Sequence, residues 1–352
     1  YAISICDWSS DVCSSDLGVL IKGVARDEDT RTTVDEQDGE EALQKGKAKG
    51  AVHLPIIPTI LELGKILLDM ETAITRMLGI RYPIVAAPMF LVSNAPLLQA
   101  VAEAGGIGVI PSLNFRSHEG FREFLEAFLD LPFGVNPILK DNPRLEVDLE
   151  AVVKRKVPLV VTSLGDPTRV VERVKAYGGV VWCDVVGYRH AKKAVEAGAD
   201  ALVAVAAGAG GHAGRVSPFV LGPWLKEAFG LPVLIAGGLA TGRQLLAALA
   251  LGDGAYIGTR FIATRESAAP LEYKEALLRA TPEEIEYTPE VTGVHANFLK
   301  ESLARFRERG GKAWKEVYSA GHGVAFIRDI PSALEVVERL VAEYYEAKAA
   351  LP

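Results

Sequence analysis

The chain has 352 residues, 49% hydrophobic and 24% charged, with a formal net charge of −7. That composition is ordinary for a soluble globular protein, with no apolar run long enough to span a membrane and no basic face for nucleic acid. Cys6 and Cys13 lie near the start, so the main body holds only Cys183; this excludes an internal disulfide there and fits a reducing, cytoplasmic setting.

Residues 1–70 carry six of the seven net negative charges. The opening "YAISICDWSSDVCSSDL" contains a near repeat and lacks the basic region and cleavage site of a signal peptide. It reads as a translated cloning scar. Residues 24–50 are polar, acidic and then Lys/Gly-rich, a disordered or truncated upstream piece. The segment "LPIIPTILELGKILLD" (54–69) is apolar but interrupted by prolines and charges. Met70, followed by "ETAITRMLGIRYPIV", is the expected native beginning.

From Tyr82 onward, short apolar runs alternate with amphipathic stretches. The runs predict strands at 82–87, 107–111, 133–137, 158–163, 180–185, 200–205, 232–236 and 255–258. They are rich in Val and Ile without clear alternation, as strands buried on both faces are. Helical patterns between them end in Gly105, Gly178, Gly198 and Gly252, the expected stop residues. Eight βα units in about 200 residues predict an α/β fold, a (β/α)8 TIM barrel. An open doubly wound sheet is the alternative, because periodicity does not report closure. The expected organisation is a leader at 1–70, a barrel at 71–280 and a C-terminal helical extension at 281–352 covering one barrel end. The final helix is expected at 331–348.

In such a barrel, chemistry collects where strands end. Those positions carry "APMF" (87–90), Asn136-Pro137, "TSLGDP" (162–167), Asp184, "GAGGHAG" (208–214), "AGGLATG" (236–242) and "GTRF" (258–261). The loops after strands seven and eight often hold phosphate. Gly237 and Gly238 expose backbone N–H groups, a helix is expected to begin near Thr241 and attract an anion, and Gly258 and Thr259 add an N–H and a hydroxyl. "GAGGHA" also matches a dinucleotide fingerprint, with Glu227 about twenty residues on. That reading is disfavoured, because "GRVSP" interrupts the helix and Glu227 falls inside a helical segment rather than at a strand end.

Six histidines are scattered without metal-ligand spacing, at 53, 118, 190, 212, 295 and 322. Cys183 sits in a strand, and no nucleophile elbow occurs. His118 and His190 fall in helical segments and read as surface or capping residues. His295 and His322 lie in the extension and are expected outside the site. His212 stands alone at a strand end among glycines, near the expected phosphate. An imidazole there can move protons or hold an anion.

The stretches "PIVAAPM", "AVAEAGGIGVI", "PFGVN", "AGAGGHAG" and above all "PVLIAGGLATGRQLLAALALGDGAYIGTRFIATRES" resemble the nitronate monooxygenases, formerly called 2-nitropropane dioxygenases. The resemblance covers about residues 72–303 of a superfamily that includes FMN-dependent enoyl-ACP reductases and NADH:quinone reductases. It implies a non-covalent FMN, with its phosphate on Gly237, Gly238, Gly258 and Thr259. Pro88, Met89 and Asn136 would lie near the isoalloxazine with Gly210 and Gly211 close by, and His212 matches the catalytic histidine. Asp184 stands near a position where several relatives carry lysine, placing a negative charge within cofactor reach. "AAPMF" replaces the more usual Gln-Gly-Gly-Met. The activity implied is oxidation of an alkyl nitronate by O2 to a carbonyl compound and nitrite. The alternative is an NAD(P)H-dependent reductase of a quinone or an enoyl thioester; a barrel that binds flavin without turnover is a third reading, which His212 argues against. The expected partners are small molecules, with a homodimer left open.

Overall fold

A computed structural model describes residues 70–128, 130–310 and 315–351. The reading of residues 1–69 as a foreign leader lies outside them. Helix α1 (Ala73–Leu78) opens the described chain, with Thr72 accepting from the Thr75 N–H and Gly79 closing it at φ +66°. A non-glycine residue resists that left-handed turn.

Eight βα repeats follow. Strand β1 (Ile84–Ala86) leads to α2 (Ala95–Glu103), β2 (Ile107–Pro111) to α3 (His118–Ala127), and β3 (Phe133–Asn136) to α4 (Leu145–Arg155). Next come β4 (Leu159–Thr162), α5 (Thr168–Lys175), β5 (Val180–Val185), α6 (Tyr188–Glu196) and β6 (Ala201–Val205). A two-residue strand, β7 (Gly211–His212), precedes α7 (Pro218–Phe229), β8 (Val233–Ala236), α8 (Gly242–Leu251), β9 (Gly254–Ile257) and the single turn α9 (Thr259–Ile262). The strands other than β7 form a closed parallel barrel in the order β1-β2-β3-β4-β5-β6-β8-β9. Closure is made where β9 pairs with β1, Tyr256 opposite Val85. The open sheet is thereby excluded.

Side chains alternate between two apolar layers. Val85, Ile107, Val109, Leu159, Val161, Trp182, Val203 and Leu234 fill the barrel. Their sequence neighbours, such as Ala86, Val160, Val181, Leu202 and Ile235, face the helices. Both faces of each strand are therefore buried, which explains the unbroken Val/Ile runs. Observed strand ends fall within two residues of the expected ones. Gly105, Gly178 and Gly198 adopt positive φ as stops, but Gly252 is extended at φ −159°. Its reason is space: a Cβ there would press on the Val233 carbonyl.

The remaining chain builds α10 (Leu271–Arg279), β10 (Ile285–Thr288), β11 (Ala296–Leu299), α11 (Lys300–Arg309) and α12 (Ala333–Ala349). Strands β10, β11 and β7 form an antiparallel sheet that the sequence did not announce. Tyr273, Leu277, Leu299, Ala320, Val324 and Ile327 share a core with Ala240, from the loop after β8, and Ile262, from α9. Among the described residues, no helix is long and apolar enough to cross a membrane.

Candidate active site

The glycines after β6 permit close backbone contact. A Cβ on Gly210 would lie 2.9 Å from the Gly321 nitrogen and 3.1 Å from Thr259 Oγ1. Thr259 Oγ1 in turn accepts from the Gly321 N–H at 3.0 Å. Gly208, at φ +82°, offers its carbonyl to the N–H of His322 at 2.9 Å and of Gly238 at 3.2 Å. Residues 207–214, 236–241, 258–259 and 320–322 thus converge. His322, expected outside the site, packs its ring against Gly208. The tight Gly208–Gly321 crossing draws it in, a contact between residues far apart in sequence. His295 stacks on Tyr287 with centroids 5.0 Å apart, and the Tyr287 hydroxyl donates to the Ala213 carbonyl at 2.9 Å.

His212 is half-buried on β7, opposite Ala296 of β11, while Asn297 anchors the loop by donating from Nδ2 to the Ala209 carbonyl at 2.7 Å. His212 Nε2 lies 3.1 Å from Thr292 Oγ1, and that hydroxyl donates to the Val294 carbonyl at 3.0 Å. With the hydroxyl hydrogen on that carbonyl, Thr292 Oγ1 is free to accept from Nε2–H, the tautomer in which Nδ1 is the basic nitrogen. Burial holds the imidazole pKa below its ordinary value, so the neutral form dominates at neutral pH.

A polar chain lies across the upper barrel. Asn136 Nδ2 donates to the Val161 carbonyl at 2.6 Å and to Ser163 Oγ at 2.9 Å. Ser163 donates to Asp184 Oδ2 at 2.6 Å. Asp184 Oδ1 and the Tyr256 hydroxyl are shielded from solvent without a hydrogen-bond partner. Burial pushes the Asp184 carboxyl up to about 7, against the lowering effect of Ser163. The full negative charge expected from the sequence is therefore partly lost at neutral pH. Cys183 is inert by the same physics, its thiol raised to about 11 by burial.

The anion expected at the start of α8 is supplied by the protein itself. Gly242 N–H donates to Glu343 Oε2 at 2.7 Å, and Gln244 Oε1 takes the N–H groups of Ala240 and Thr241. The open backbone lies elsewhere. Gly211 and Gly238 stand at φ +70° and +73°, and a Cβ on either would meet no atom within 4 Å. A Cβ on Gly258 would find Ala87 Cβ and Met89 Sδ nearest, both at 3.9 Å. Met89 and Pro88 are half-buried on the loop after β1. Leu91 holds φ +60° there, an unusual conformation for a non-glycine residue, with its N–H bonded to Asn114 Oδ1 at 2.9 Å. His118 pairs with Asp148 at 3.1 Å, and His190 is exposed on α6. Among the described residues no acidic, Cys and His group could hold a metal.

The family model described as nitronate monooxygenase matches residues 141–309. The chain is 33% identical over 250 residues to (3aS,4S,5R,7aS)-5-hydroxy-7a-methyl-1-oxo-octahydro-1H-indene-4-carboxyl-CoA dehydrogenase of Mycobacterium tuberculosis, spanning 69% of this chain and 70% of that one. FabK from Thermotoga maritima superposes with a TM-score of 0.71 at 30% identity, over 79% of this chain and 97% of that one. The chain belongs to the FMN-dependent TIM-barrel oxidoreductases. Nitroalkane oxidase from Streptomyces ansochromogenes also superposes, with a TM-score of 0.69 at 28% identity, over 80% of this chain and 100% of that one.

FMN is the cofactor of this flavoprotein. The residues present fit it. Gly238 and Gly258 leave backbone open with no protein side chain crowding it, and Thr259 follows Gly258 directly. Ser163, Tyr256, Thr292 and Asn297 were not singled out by sequence reasoning, and His322 was expected outside the site. Only Ser163 had a signal, its place in the strand-end segment "TSLGDP". The others take their places from long-range pairing.

Proposed function

We propose that this flavoenzyme exchanges electrons between a nicotinamide and the α,β-carbons of an acyl thioester, acting as an NAD(P)H-dependent enoyl-thioester reductase. The observation that carries this reading is the 33% identity to a carboxyl-CoA dehydrogenase over 70% of its length. The cofactor, when bound, supplies reversible hydride transfer. Gly237, Gly238, Gly258 and Thr259 hold its phosphate. Pro88, Met89, Asn136, Gly210 and Gly211 line the ring, and Asp184 supports that wall from within the barrel.

His212 handles the proton. Its Nδ1 takes a proton from the carbon next to the thioester carbonyl in the oxidative direction and returns it in the reductive one. Thr292 keeps Nε2 protonated, and so keeps Nδ1 as the reacting atom. The sheet of β10, β11 and β7 holds the histidine in place.

A second reading is nitronate oxidation by O2, favoured by the family model over residues 141–309. In it, His212 contacts the nitro group or takes the carbon proton. The test is to mix flavin-loaded protein anaerobically with NADH, NADPH and propionate 3-nitronate in turn, recording the flavin spectrum. Bleaching by a nicotinamide followed by recovery on adding an enoyl thioester supports the first reading. A response to nitronate alone moves the assignment to the second.

A further inference from the structure

The hydrogen-bond directions in the upper barrel are fixed by one carbonyl. The Val161 oxygen can only accept, so the atom facing it at 2.6 Å must be the Asn136 amide nitrogen. The same nitrogen gives its second hydrogen to Ser163 Oγ at 2.9 Å. Ser163 has one hydrogen, and it goes to Asp184 Oδ2 at 2.6 Å. Ser163 adds a second hold to that of Val161, but a serine hydroxyl free to rotate could point its hydrogen at the amide and oppose the nitrogen facing it. Asp184 removes that freedom. Both amide hydrogens of Asn136 are thereby committed inward, and its Oδ1 is the atom left to face outward.

The geometry points to Asp184 and Ser163 as positioning residues that reinforce the Val161 carbonyl in making Asn136 present a hydrogen-bond acceptor, its carbonyl oxygen, to the bound flavin. This rests on the placement of Asn136 beside the isoalloxazine proposed above. The oxidised ring carries one ring N–H, at N3, and that N–H is the group selected. The arrangement survives protonation of Asp184, because Oδ2 still accepts while Oδ1 carries the proton. The titratable groups around the carboxyl, Tyr256 on β9 and Cys183 beside it on β5, are both held neutral by burial.

The experiment compares apoprotein affinities for FMN and 3-methyl-FMN by flavin fluorescence. The wild type is expected to prefer FMN about ten-fold, the worth of one good hydrogen bond. Ser163→Ala narrows the preference to about three-fold, and Ser163→Thr, which keeps the hydroxyl, restores it. Asp184→Asn, whose amide oxygen still accepts from Ser163, retains the preference. Equal binding of the two flavins by the wild type overturns the inference alone, as does Ser163→Ala keeping the full ten-fold, which would mean a steric effect of the methyl group. An Asp184→Asn protein that behaves like Ser163→Ala also overturns it, by showing that charge and not geometry matters. Failure to bind either flavin overturns the cofactor placement as well.

Discussion

The parallel barrel and the small antiparallel sheet of β10, β11 and β7 are built by opposite means. Barrel strands are joined by local βα repeats, and their side chains bury on both faces. The small sheet joins His212 to Ala296, more than eighty residues apart, through a two-residue strand that is only half-buried. The barrel can tolerate conservative change because many apolar contacts share the load. The small sheet depends on a few backbone approaches and single hydrogen bonds, and it carries the proposed proton-handling residue.

That contrast can be broken most forcefully at Gly321, where a Cβ would collide with the Gly208 carbonyl. Gly321→Ala should cost about 1–3 kcal/mol in urea unfolding and release FMN, as overpacking does. A variant of unchanged stability and flavin content would show that the crossing has room to give. His212→Ala should lower turnover by about 10²–10⁴-fold with FMN still bound, within the range of a lost acid–base group. Loss of flavin together with activity would instead make the histidine a structural member of the sheet. Thr292→Val removes the acceptor for Nε2 and should lower turnover by about ten-fold, a change of about 1.4 kcal/mol, with an altered pH profile as the sign of a disturbed tautomer.

The two regions also differ in how their stability responds to pH. The folded Asp184 carboxyl titrates near 7, above the ordinary 3.8, so the native state binds the proton more tightly. Its contribution to stability is full below pH 4, falls as pH rises toward 7, and is flat beyond, with a slope of at most about 1.4 kcal/mol per pH unit. His212 has the opposite sign: its folded pKa is lowered, so its contribution is present above about pH 6.5 and declines as the pH falls through that range. Urea midpoints for Asp184→Asn against wild type should differ in slope between pH 4 and 7. Parallel curves would mean that the carboxyl is solvated.

The barrel was legible because parallel strands write their burial into contiguous Val and Ile runs, such as "VVWCDV" at 180–185, and helix stops into glycines. The glycine loops and His212 were legible for the same local reason, small residues at strand ends. The small sheet was not, since Gly211–His212 is too short to show a period and its partner lies far along the chain. The Asn136–Ser163–Asp184 chain was half legible: two members stood out as polar residues at strand ends, but their hydrogen-bond order follows from the barrel's register. The packing of His322 on Gly208 was not legible, because nothing near it in sequence predicts that Gly321 will press on Gly208. That the Gly242 N–H at the start of α8 is taken by a carboxylate was not legible, because Glu343 sits on a distant helix.

That last pairing bears on synthesis. The N–H of Gly242 is bonded to a glutamate 101 positions downstream, and the backbone of α12 crosses so closely that a Cβ on Gly242 would collide with it. On a ribosome, where domains form as they emerge, the local cap of Thr241 and Gln244 can form at once, but the Gly242 N–H waits for its partner until Glu343 is out of the exit tunnel. The eight strands can pair earlier; this one contact cannot.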